Sequence, residues 1–138
     1  MAAISAAILC DFAQVRDGLL FVLSGGITRV YRSELPGTLG VKAAVVVEIG
    51  FAEVARTHQL VVSVKHAGTA KEMGRLTTGF QAAGVLERGE SLYVPLVVDL
   101  ASVPVRDYGA HDVQVSVDGA VPAQLTIYVS AQKEARRT

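Results

Sequence analysis

Residues His111 to Ser130 read HDVQVSVDGAVPAQLTIYVS. Val113, Val115 and Val117 alternate with Asp112, Gln114, Ser116 and Asp118. Beyond Asp118-Gly119, Leu125, Ile127 and Val129 alternate with Gln124, Thr126, Tyr128 and Ser130. Side chains of a strand point to opposite faces in turn, so the stretch predicts a hairpin with one buried and one wetted face. It places the chain in the all-β class.

The same reading extends towards the N-terminus. Ser91 to Leu100 sends Leu92, Val94, Leu96, Val98 and Leu100 inward, and Pro95, which lacks a ladder donor, belongs at an edge or a bulge. His58 to His66 alternates with Leu60, Val62 and Val64 inward, and a weaker strand follows with Leu76 and Phe80 on one face. Val41 to Phe51 lines one face with Val41, Ala43, Val45, Val47, Ile49 and Phe51. Ile4 to Ala13 is apolar on both faces, with Ile4, Ile8, Cys10 and Phe12 on one side and Leu9 on the other. Asp17-Gly18 between apolar runs reads as a hairpin turn, and Ser24-Gly25-Gly26 as a bulge or bend before ITRVYR. SELPGTLG and Val103 to Tyr108 read as loops.

These runs make about eight strands with short turns. One sheet of eight would leave an apolar face in water, whereas two sheets packed face to face bury it. The expected architecture is a single-domain, two-sheet antiparallel β-sandwich, immunoglobulin-like or C2-like, over residues 1–130. A polar tail, residues 131–138, is expected to fray.

The chain has 138 residues, with 13 Lys and Arg against 13 Asp and Glu, so its formal net charge is zero. Nucleic-acid binders and polybasic membrane-surface proteins carry a cationic excess, and neither is expected here. Charged residues make up 19% and hydrophobic ones 51% of the chain. Soluble domains average about 25% charged, and low charge with no net charge favours association. An Ala- and Val-rich composition accounts for the numbers equally well. Cys10 is the single cysteine, which excludes an intrachain disulfide and fits a reducing compartment. MAAISAAILC carries no Lys or Arg before its apolar run, and Leu9 stands where a lipoprotein signal needs a small residue. A cytoplasmic location is expected.

No reactive constellation stands out. His58, His66 and His111 are the available bases, without a GxSxG elbow or a motif around Cys10. His58 and His66 share a strand face but lie roughly 26 Å apart at ~3.3 Å per residue, too far to share an ion. His111 and Asp112 point to opposite faces. Asp17, Asp107, Asp112 and Asp118 flank turns, where Asp is the ordinary residue and where calcium-binding sandwiches also place it. Arg16-Asp17 and Arg106-Asp107 are charged pairs beside turns, either solvated loop ends or part of a recognition surface. Tyr31, Tyr93 and Tyr128 fall on outward faces or strand ends. No catalytic, cofactor-binding or metal-binding residue is assigned, and no cofactor is expected.

Two stretches, CDFAQVRDGLLFVLSGGITRVYR (Cys10 to Arg32) and YGAHDVQVSVDGAVPAQLTIYV (Tyr108 to Val129), carry a resemblance. They resemble a group of small uncharacterised bacterial proteins that open with an Asp-aromatic-Ala strand and an Asp-Gly hairpin and close on two alternating strands. Leu19 stands where those proteins often have Lys, and Tyr108-Gly109 inverts their Gly-Tyr order. The resemblance implies a β-sandwich of unknown function and assigns no catalytic residues.

The resulting expectation is a non-catalytic module that binds protein, most simply a second copy of itself. A structural component of a larger bacterial or phage-derived assembly, and a small-ligand or Ca²⁺-binding domain, are the alternatives. The outward apolar residues Leu9, Ala44 and Val46 are the expected contact points, unless a loop or the tail covers them.

Overall fold

A computed structural model describes residues 2–131. The expected tail falls, past residue 131, outside them. The strands are β1 (Ala3–Cys10), β2 (Phe12–Arg16), β3 (Leu19–Leu23), β4 (Arg29–Tyr31), β5 (Gly37–Thr38), β6 (Lys42–Gly50), β7 (Thr57–His66), β8 (Glu72–Gln81), β9 (Ser91–Asp99), β10 (Pro104–Val105), β11 (Gly109–Val117) and β12 (Ala123–Ser130). One 3-10 turn, Phe51–Glu53, follows β6.

The all-β class holds. The count of about eight strands in two sheets does not, because the described residues form twelve strands in four sheets. A five-stranded sheet runs β4-β12-β11-β7-β8 and a three-stranded sheet β1-β6-β9, with two-stranded pairs β2-β3 and β10-β5. The pairing is not wholly antiparallel either: β4 runs parallel to β12, with Val30 opposite Val129. The strands missed in sequence, β5 and β10, are two residues each. That is too short for an alternating pattern, and β10 lies inside the segment read as a loop.

The two larger sheets share one core. Val45, Val47 and Ile49 of β6, Leu60, Val62 and Val64 of β7, and Val113, Val115 and Ile127 of the final hairpin are fully buried in it. Leu125 is half-buried against the same core. Register follows the alternation: Val113 stands opposite Leu125 on one side and Val64 on the other. A one-residue slip would turn this whole apolar set outward. Pro95 sits opposite Val46 on β9, an edge strand of its sheet, where a missing donor costs no ladder bond on the outer side.

The N-terminal run departs from its reading. It is two strands, broken at Asp11. Within β1 the register shifts between Ile4 and Ala6, so the alternation inverts at a bulge. Ile4, Ala7 and Leu9 therefore pack on the main core, while Ile8, expected beside Ile4, faces the other way. After β3 the chain leaves the hairpin at Ser24, and the amides of Gly26 and Ile27 both donate to the Leu9 carbonyl.

Candidate functional site

The β2-β3 hairpin is built on Asp17 (φ 52°) and Gly18 (φ 72°). Two consecutive left-handed residues make the turn whose twist matches paired strands, and Asp-Gly is its preferred sequence. Phe12 pairs with Leu23, Gln14 with Phe21 and Arg16 with Leu19, so these six share one face. The opposite face lies on the three-stranded sheet. There Ala13, Leu20 and Val22 pack with Cys10, Ala44 and Val97 in a second, smaller core.

That hairpin corrects the expected contact points. Ala44 is buried beneath it, and Leu9 is buried on the other side of β1, in the main core. Val46 is half-buried. The apolar surface has been moved outward by one layer. Phe12 is 45% exposed, Leu19 62%, Phe21 53% and Leu23 64%. A groove of about 320 Å³ runs along Phe12, Phe21 and Leu23, with Gln14, Arg16 and Val22 completing its walls. No other stretch of the described residues groups four exposed large apolar side chains on paired strands.

The histidines occupy three environments. His58, at the start of β7, is 1% exposed. Its Nδ1 lies 2.6 Å from Asp118 Oδ2 and its Nε2 2.8 Å from the Glu53 carbonyl oxygen. Asp118 Oδ1 accepts from the Gln59 amide at 2.9 Å. Burial by itself disfavours the imidazolium. The bonds to Asp118 and Glu53, with the charges of both carboxylates, outweigh it and lift the His58 pKa above its ordinary 6.5. Burial likewise pushes Asp118 up, but its bonds from His58 and Gln59 and the charges of His58 and Arg56 bring it below 3.8. The ring nitrogen that a general base would use is occupied by the Glu53 carbonyl.

His66 and His111 sit opposite each other on β7 and β11. His66 donates from Nε2 to the Tyr108 carbonyl at 3.1 Å and accepts at Nδ1 from the Thr69 amide at 3.2 Å. His111 is fully buried and donates from Nδ1 to the Gly109 carbonyl at 3.1 Å. Burial is the main cause holding its pKa below 6.5, assisted by the charge of His66.

The carboxylates do not converge. Asp17 occupies its turn, Asp112 accepts from Thr126 at 3.4 Å, and Asp118 is engaged with His58. Among the described residues no three His, Cys, Asp or Glu side chains are grouped so as to hold a metal ion. Arg16 flanks the hairpin turn on the exposed face, while Arg106 and Asp107 lie between β10 and β11. Tyr93 and Tyr128 are exposed as expected, and Arg29 lies over the Tyr128 ring at 5.3 Å. No helix among the described residues is long and apolar enough to cross a membrane.

Sequence reasoning missed two things here. The His58–Asp118 pair joins residues far apart in the chain, with no local spacing to announce it. The exposed hairpin face is the other: the sequence reading made Leu19 to Leu23 one arm of a hairpin without assigning its faces, although LLFVL has no polar alternation and so signals a strand apolar on both faces.

A family model described as a family of unknown function (DUF6941) matches residues 5–130. No curated protein matches, and no solved structure matches.

Proposed function

We propose that this chain, which belongs to the DUF6941 family of unknown function, is a non-catalytic interaction module that pairs with a second copy of itself through the outer face of the β2-β3 hairpin. The observation that carries the reading is the composition of that face. Its three cross-strand rows are Phe12/Leu23, Gln14/Phe21 and Arg16/Leu19. A two-fold axis through the middle row lays the first row of one copy on the third row of the other. Leucine then meets leucine, Phe21 meets Phe21, and Arg16 meets the ring of Phe12. Arg16 is the single charge among the six, and a partner without an answering group would strip its water uncompensated. A second copy supplies an aromatic face, which attracts a guanidinium. Isologous pairing of this kind is the commonest form of soluble oligomer.

A five-residue hairpin offers less area than the roughly 800 Å² per partner of a standard interface, so the association is micromolar or weaker. The one cysteine is a buried free thiol, which suits a cytoplasmic location.

Light scattering across micromolar to millimolar concentration tests the proposal. The expected result is a rise from monomer to dimer mass, lost in Leu23→Glu. Leu23 is exposed in the single chain, so the substitution should leave the unfolding free energy within about 0.5 kcal/mol of wild type. A monomer mass persisting to 1 mM overturns self-pairing.

A further inference from the structure

The second place where this chain concentrates chemistry lies away from the hairpin, where the β11-β12 turn meets the connection between β6 and β7. His58 presents a ring nitrogen to each of two oxygens, a carboxylate at 2.6 Å and a backbone carbonyl at 2.8 Å. A carbonyl can only accept, so Nε2 carries a hydrogen. Asp118 holds its carboxylate against Nδ1 and uses its other oxygen on the Gln59 amide. A ring that donates from both nitrogens is the imidazolium. The neutral ring has one hydrogen, and it must turn a lone pair on one of these two oxygens.

The groups facing His58 come from three elements. Asp118 belongs to the β11-β12 turn, and Glu53 and Arg56 to the β6–β7 connection, where they form an ion pair at 3.6 Å. From β8 the ring of Phe80 lies 5.5 Å away, tilted, and brings no charge. The two turns also wall a groove of about 380 Å³ that includes Glu53, Arg56, His58, Asp118 and Gly119.

We propose that Glu53, His58 and Asp118 form a proton-operated clasp: with its imidazole protonated, His58 ties the Asp118-Gly119 turn to the Phe51–Glu53 turn, and loss of that proton loosens the two walls of the groove. The upward shift of His58 fixes the direction, closed below 6.5 and opening as pH rises above it. The backbone of β7 and β11 need not move, since Asp118 N still donates to the Gln59 carbonyl at 2.9 Å independently of the ring.

The test uses the intact wild-type chain. Imidazole ¹⁵N spectra should show both His58 nitrogens protonated at pH 6.5, with a titration midpoint above that value. The Gln59 amide, which donates to Asp118, should lose protection from hydrogen exchange at least tenfold across the same midpoint, once the ordinary base-catalysed acceleration is removed. Asp118→Asn keeps the shape of the side chain and tolerates the left-handed backbone there, and it should lower the His58 midpoint. An unprotonated His58 nitrogen at pH 6 overturns the clasp. So does constant Gln59 protection through the titration, or a midpoint unmoved in Asp118→Asn. The two wild-type measurements stand whether or not the variant folds.

Discussion

The ring of His66 meets the ring of His111 edge-on across the β7-β11 ladder, with centroids 5.0 Å apart and planes at 78°. Placed beside a second histidine and closed off from water, His111 stays neutral in the fold. Its Nε2 has no hydrogen-bond partner among the described residues.

Acid should therefore destabilise the protein through His111. Its folded pKa is depressed, so the unfolded chain takes up a proton first and stability falls as pH drops below 6.5. His58 acts with the opposite sign: its contribution is complete below 6.5 and is lost as pH rises through its elevated folded value. A melting-temperature profile between pH 5 and 8.5 should fall on both sides. His111→Leu should flatten the acid limb and leave the alkaline limb in place. An unchanged acid limb would assign the proton uptake elsewhere.

Val115 and Gln114 are adjacent and should behave as opposites. Val115 is fully buried between Ala123 and Val62 of the neighbouring strands. Val115→Asp puts an unpaired charge in the core and should cost at least ~4 kcal/mol, enough to remove the folded signal in circular dichroism. Gln114 makes one long side-chain contact, 3.4 Å to Gln124, and Gln114→Asp should shift stability by no more than about 0.5 kcal/mol.

Cys10 should be inert in the native state. It is fully buried under the hairpin, and burial first, then the charge of Asp11, raise its thiol pKa against the smaller pull of Lys42. Thiolate is the reactive form, so a disulfide reagent should modify the folded chain roughly 100-fold more slowly than the urea-unfolded one. Fast native labelling would mean that the hairpin lifts readily from the sheet.

Metal should not contribute to stability. Asp118 is held by His58 and Asp112 by Thr126, and the carboxylates of the described residues do not gather with His or Cys into a group of three. Melting curves in EDTA and in Ca²⁺ should overlay, and a Ca²⁺-dependent rise of several degrees would instead indicate a ligand bound by the folded state.

The strand content was readable wherever a face was wetted. Val113, Val115, Val117, Ile127 and Val129 are buried as their alternation requires, and Pro95 lies on an edge strand. The Asp17-Gly18 turn was readable for a local reason too, since both residues carry the left-handed backbone that their types accept. The reading failed where a strand is apolar on both sides. In β1 the alternation could not reveal the bulge that separates Ile4 from Ile8, because either register buries something apolar.

What the sequence by itself determined is thus the class, the long strands and the inward side of each strand that has a polar face. These are short-range properties: the period-2 pattern of a strand is written in consecutive residues. Only the tertiary structure decided that the β2-β3 hairpin folds over Ala44 and Cys10, so that the apolar face left in water is Phe12, Leu19, Phe21 and Leu23 rather than Leu9, Ala44 and Val46. It alone joined His58 to Asp118 and set His66 against His111. The physical reason is the same in each case. Which strand lies beside or above another depends on long-range packing and register, in which many placements satisfy the same alternation and only the whole core selects one.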